Sequence, residues 1–253
     1  SMAGSQMQLA AIHWHIRALT DEPNPLALGG IGLARILPVI VFSFVGGAVA
    51  DSYNRRTILL ITQSLLAVQA VVLALLTFLG IIEIWHIYVL TAIQACAVSF
   101  DLPARQAMIP NLVSREHLPS AFSMNSIAFN VGAILGPLLF GLIPEGGQGY
   151  AYLLTAFSFL AVLGALVLMG QVSQNLNLAG GVNLRSMQEG VRFITSRPLI
   201  LSTMLMDFIA TFFASATTML PIVARDILHV GKSGYSWLVS AQAIGSVTAG
   251  MVV

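Results

Sequence analysis

Only 8% of the 253 residues are Asp, Glu, Lys or Arg, so an ionisable side chain inside a long apolar run is conspicuous. Asp207 lies deepest, a few residues beyond Leu199 and about 12 Å along a helix at the usual rise per residue. A charge there costs about 3 kcal/mol at the centre of a hydrocarbon layer, so it needs a reason. Two readings fit: a structural carboxyl hydrogen-bonded to a neighbouring helix, or a group that loads and releases a proton. Arg35 sits nearer the start of its own run, where its long stem can carry the charge to a polar boundary. His13 and His15 flank Trp14. Two residues apart on a helix, they face different ways, which argues against a shared metal. They read either as cavity-lining residues or as packing and interfacial groups. Asp101 and Arg105 are four apart on one helical face and pair with each other or with a nearby turn. No His–Glu pair with metal spacing, no Ser beside a base and no Cys/His cluster occurs, and Cys96 is the lone cysteine. The expectation is a protein that is not an enzyme, with neither metal nor cofactor.

The elements that position these residues follow from the solvent. Hydrophobic residues make up 57% of the chain and the mean hydropathy is +0.87. A soluble domain carries about a quarter charged residues. This chain has too little polar surface to cover a globule, so its solvent is the lipid bilayer. A net charge of +1 excludes a nucleic-acid reader working through a dense basic face. A helix needs about 20 apolar residues to cross a bilayer. That rule predicts an all-α, polytopic transmembrane bundle with spans near 7–19, 26–50, 57–79, 84–104, 119–143, 150–170, 199–223 and 234–253. The first is too short to cross and the last stops without a polar flank. Both ends therefore read as cuts in a longer chain.

Alternating spans put Arg55, Arg56, Arg105, Arg115, Arg185, Arg192 and Arg197 on one side, against Arg17, Arg225 and Lys232 on the other. The positive-inside rule assigns the first group to the cytoplasmic side of the membrane. The stretch 171–183 is rich in Gln, Asn and Gly, as a linker would be. Within 184–194, Leu184, Met187, Val191 and Ile194 recur at helical spacing, which predicts a short amphipathic helix on the membrane surface. The expected organisation is a first bundle over 1–170, a cytoplasmic linker over 171–197, and the first two helices of a second bundle over 198–253.

Two motifs sharpen this. The turn after the second span reads Gly47-Ala48-Val49-Ala50-Asp51-Ser52-Tyr53-Asn54-Arg55-Arg56. Gly46 and Gly47 permit close helix approach, and Asp51 can face a helix N-terminus. The fifth span holds Gly132, Gly136, Pro137 and Gly141: a small-residue packing face with a proline kink. The first run resembles the signature between helices two and three of the major facilitator superfamily. Gly47, Asp51, Arg55 and Arg56 match it, while Ser52 replaces a basic residue and Asn54 a glycine. The stretch Phe100 to Val113, with Leu118-Pro119 and Asn125-Ser126, resembles the branch of enterobactin exporters and macrolide-efflux-like proteins. The Gly132–Gly141 run is similar to the superfamily's antiporter signature, with Phe140 in place of its first paired glycine.

The resemblance implies a twelve-helix fold of two six-helix bundles, of which this chain holds part of helix one through helix eight. It implies proton-coupled efflux of an amphipathic small molecule, such as a siderophore or drug, across the plasma (bacterial inner) membrane; Asp207, the carboxylate deepest in a span, is the candidate proton-coupling group. It also implies a gate built from Gly47, Asp51, Arg55, Arg56, Asp101 and Arg105, with Arg55 meeting Asp101, and a cavity into which His13, Trp14, His15 or Arg35 projects. The expected partners are the small molecule, protons, the bilayer and the remaining helices of the same chain. An importer, or a receptor or scaffold on the same fold, is the alternative.

Overall fold

The computed structural model describes residues 2–20, 22–169, 192–214 and 216–252, and within these the side chains of 44, 207, 208, 210–214, 216 and 250–252 are outside the description. Among the described residues, eight principal helices occur in the order α1 (Met2–Leu19), α2 (Pro25–Ser52), α3 (Arg55–Phe78), α4 (Ile84–Leu112), α5 (Leu118–Leu142), α6 (Gln148–Leu168), α7 (Pro198–Ala214) and α8 (Lys232–Val252). No strand occurs among the described residues.

Local chemistry sets the boundaries. Asn24 caps α2 by accepting from the Ala27 N–H at 3.0 Å, with Pro25 as the first helical residue. Asn54 caps α3 in the same way through the Arg56 N–H at 3.0 Å. At the far end of α3, Gly80 adopts φ +69°, and the Gly80 and Ile81 N–H groups donate to the Thr77 and Leu76 carbonyls. This is a Schellman stop, and its left-handed residue favours glycine.

The helices present apolar faces outward and bury a set of polar side chains within a largely apolar core. Along α3, Ile61, Leu65, Val68 and Leu75 are exposed, whereas Thr62, Gln63 and Gln69 are at most 5% exposed. Inside, Gln8 of α1 donates to Gln69 at 2.9 Å. Lipid accounts for the apolar exterior, because an apolar stripe costs nothing against acyl chains. Among the described residues, five helical segments are long and apolar enough to cross a bilayer: Pro25–Ser43, Arg55–Phe78, Ile84–Leu112, Arg115–Leu142 and Gln148–Leu168.

Three expectations are corrected. The first helix is not confined to 7–19 but spans Met2–Leu19, and its Met7, Ala10, Ala11, Ile12, Trp14 and Ile16 form the centre of the core. The fourth does not stop at 104: α4 continues through Pro103 and Pro110 to Leu112. Pro103 has no N–H to offer the Ser99 carbonyl. That oxygen lies instead against α2 at Gly46, where a Cβ would overlap it. The seventh is not one continuous span over 199–223. After α7 come a 3-10 turn (Ala216–Met219), one helical turn (Leu220–Ile222) and a π turn (Val223–Ile227). Pro221 cannot donate to the residue four before it, so a regular helix loses a bond there. Most of the linker, 170–191, lies outside the described residues, and with it most of the amphipathic segment read over 184–194.

Candidate functional site

Helix α5 organises the site, because its small residues let two other helices approach it. A Cβ added at Gly136 would come within 2.6 Å of the Ala3 carbonyl oxygen of α1, and one at Gly132 within 2.8 Å of the Met2 Cβ. On the α8 side, a Cβ at Gly141 would lie 2.8 Å from that of Ser236, and Ser233 donates to the Gly141 carbonyl at 3.1 Å. The glycines of the fifth-span motif thus hold α5 against α1 and α8 at once, and Pro137 lines the space left between them.

That space is a cavity of about 300 Å³ bounded by α1, α5, α8 and the turn after α7. Polar groups on its wall include Gln6, His13, Asn130, Thr217 and Gln242, while Leu9, Phe129 and Val239 supply apolar surface. Of the residues read as cavity-lining, only His13 meets this space. His15 is buried, with its Nδ1 3.0 Å from the Tyr152 hydroxyl of α6. Trp14 stacks on Tyr235 of α8 with ring centroids 5.3 Å apart. Arg35 is exposed on α2. Asp207 falls on α7, and its side chain is outside the described residues.

At the rim of the bundle opposite Arg55, charged groups join the first six helices to the segment between α7 and α8. Arg17, at the end of α1, donates through Nε to Asp226 Oδ2 at 2.8 Å and through Nη2 to Oδ1 at 2.5 Å. Its Nη1 donates to the Thr20 carbonyl at 2.9 Å. The carboxylate sits in the π turn, and the guanidinium hydrogen bond holds Asp226 below the usual carboxylate range. Lys232, the first residue of α8, donates its backbone N–H to Glu145 at 3.1 Å and its ammonium to the Pro144 carbonyl at 2.9 Å. The ammonium also lies 4.4 Å from the Phe140 ring centroid. Further cross-contacts run inward: the Tyr235 hydroxyl donates to the Ala10 carbonyl, and Ser240 to the Ile134 carbonyl at 3.1 Å. In the sequence, Arg17 and Lys232 read only as charges on the less basic side, and nothing there pairs them with Asp226 or Glu145. Their one signal is the presence of opposite charges on turns that share one side.

The arginine-rich end is built differently. Gly46, rather than Gly47, makes the close approach of α2 to α4; nothing lies within 4 Å of a Cβ placed at Gly47. Asp51 is exposed. Arg55 donates to the Ala50 carbonyl at 3.2 Å and across to the Ala107 carbonyl of α4 at 2.9 Å. Arg56 donates to the Leu166 and Val167 carbonyls at the end of α6. Both arginines therefore fasten main-chain oxygens, Arg56 at a helix C-terminus where a cation is favoured. Asp101 is buried and accepts from Thr62 at 3.0 Å, Gln63 at 2.7 Å and Arg105 at 2.9 Å. The acid expected to meet Arg55 is thus engaged by α3 and by its own helix.

An all-helical, lipid-facing bundle with a cavity at the meeting of two helix groups defines a polytopic membrane protein of transporter architecture. A family model described as "Transmembrane secretion effector" (MFS_3) matches residues 1–253, and the chain belongs to that major facilitator family. It is similar to the multidrug efflux pump Tap of Mycolicibacterium fortuitum, at 25% identity over 96% of this chain and 61% of the relative. It is similar to the staphyloferrin A transporter of Staphylococcus aureus, at 26% identity over 99% of this chain and 63% of the relative. The enterobactin exporter EntS of Citrobacter koseri is 26% identical over 82% of this chain and 51% of the relative. The chain thus spans about half to three-fifths of these relatives. The family consists of transporters, not enzymes.

Proposed function

We propose that this chain forms the first bundle and the start of the second in a proton-coupled secondary transporter. It exports an amphipathic small molecule, siderophore-like or drug-like, across the bacterial inner membrane. The observation that carries the reading is the cavity between α1, α5 and α8, which is walled by both helix groups, with the Arg17–Asp226 ion pair and the Lys232–Pro144 hydrogen bond across one rim of the bundle. The arginine-rich end faces the cytoplasm on this reading, so substrate enters there and the rim joined by Arg17–Asp226 opens to release it. The names of the relatives, two carrying "efflux" or "exporter", favour outward transport. Asp207 is the proton-coupling group in this scheme. The network of Arg55, Arg56, Asp101 and Arg105 stiffens the cytoplasmic end, with Gly47 and Asp51 facing outward from it.

The test uses the protein extended to its relatives' length, expressed in a bacterium lacking its own drug exporters. Accumulation of an amphipathic fluorescent dye should fall, and Ala133→Trp, which fills the cavity, should restore it at equal membrane abundance. Unchanged efflux with the cavity filled would refute the pathway.

A further inference from the structure

We infer that the cavity between α1, α5 and α8 selects uncharged amphiphiles rich in hydrogen-bonding groups, and discriminates against organic cations. The inference rests on the transport reading for its biological sense, but the binding site stands or falls separately. Its starting point is the chemistry of the wall. Three primary amides, Gln6, Asn130 and Gln242, come from three different helices, and each carries donors and an acceptor, with one Asn130 N–H taken by the Ser126 carbonyl at 3.0 Å. Thr217 adds a hydroxyl from the turn after α7. Pro137, also on the wall, cannot donate to the carbonyl four residues before it. That carbonyl belongs to Ala133, another wall residue, and so has no i+4 donor. One proline thus leaves the carbonyl of a wall residue without its usual helical donor.

No Asp or Glu occurs among the described lining residues, and the one titratable nitrogen base is His13. Among the described wall residues a lipophilic cation meets no carboxylate in exchange for its water, and an unpaired buried charge is costly. An uncharged molecule bearing amide, ester or hydroxyl groups loses far less, because the amides and the Ala133 carbonyl replace its water. Phe129, Leu9 and Val239 receive its apolar part. A volume of about 300 Å³ accommodates a fused aromatic ring system with a short substituent.

Trp14 provides a reporter, since it stacks on Tyr235, whose ring lines the cavity. The chain is reconstituted in lipid nanodiscs and titrated with three probes that share one fluorophore: dansyl amide (uncharged), dansylglycine (anionic) and dansylcadaverine (cationic). Energy transfer from tryptophan is read after subtraction of empty nanodiscs. Dansyl amide is expected to bind at least ten-fold tighter than dansylcadaverine, with dansylglycine also weaker than the amide. Gln242→Glu is isosteric and places one carboxylate in the wall. It should narrow or reverse the preference for the uncharged probe over the cation, while Gln242→Leu should weaken dansyl amide alone. A preference for dansylcadaverine in the unaltered chain overturns the proposal, and loss of that preference in Asp207→Asn would identify the carboxylate responsible. Saturable binding of none of the three probes, with helicity by circular dichroism intact, also overturns it. That result would leave the export reading to be decided by the cellular efflux assay.

Discussion

Removing the Asp226 carboxylate tests how firmly the two helix groups are joined. Arg17 is 6% exposed at its side chain and Asp226 23%, with two charge-assisted hydrogen bonds between them. A hydrogen bond to a charged partner contributes about 1.5–3 kcal/mol. An exposed ion pair contributes about 0–1 kcal/mol, and breaking one side of a buried pair costs about 3–5 kcal/mol. The pair lies between these limits. Asp226→Asn leaves Arg17 its bond to the Thr20 carbonyl, and water reaches the rim, so a loss of about 2 kcal/mol is expected. In thermal unfolding of the detergent-solubilised chain, that is a fall in Tm of about 4–8 °C. Arg17→Gln should cost a similar amount, and the double variant should cost much less than the sum, giving a coupling of about 1–2 kcal/mol. The pH dependence has a definite sign. The Asp226 pKa is depressed in the folded chain, so its contribution is complete above the unfolded value of about 4. It is lost as pH falls through the lower folded value, so the parent chain and Asp226→Asn should converge only below about pH 4. A loss under 0.5 kcal/mol for Asp226→Asn, or strict additivity in the double variant, would refute the reasoning.

Other outcomes rest on single contacts. Gly46→Val should destabilise the chain by about 1–3 kcal/mol by forcing α2 from the Ser99 carbonyl, whereas Gly47→Ala, facing open space, should change Tm little. Gln63→Leu removes one of the hydrogen bonds to buried Asp101 and should cost about 1–3 kcal/mol, measured in the same unfolding assay. Asp207→Asn, in the protein extended to its relatives' length, should lose proton-driven transport while keeping substrate exchange; retained uphill, pH-dependent transport would remove Asp207 from the mechanism.

The class is legible in the sequence because composition alone specifies lipid as solvent, and because short-range chemistry marks helix ends. The caps at Asn24 and Asn54 and the stop at Gly80 fall within a few residues of the span ends that hydropathy placed. The features that escape sequence reading depend on where a helix sends its unpaired groups. Pro103 has the look of an end for the fourth span, yet the carbonyl it frees packs on Gly46 and the helix continues. Pro221 has the look of an internal residue of the seventh span, yet the helix breaks around it. Gly46 and Gly47 are equivalent on paper, and only the rotation of α2 decides which one meets α4. The Arg17–Asp226 pair joins residues 209 positions apart and leaves no local trace. Nor does the cavity, whose amides lie on three helices and each look like ordinary helix residues.

The most direct test of the account is flux in proteoliposomes. The protein extended to its relatives' length is reconstituted, and movement of an uncharged amphipathic dye is monitored under an imposed proton gradient. The expected result is movement of dye against its own gradient, which collapses when nigericin dissipates the proton gradient and is abolished by Ala133→Trp. Dye that only equilibrates, at a rate indifferent to both the proton gradient and the filled cavity, would contradict a proton-coupled export pathway through this site.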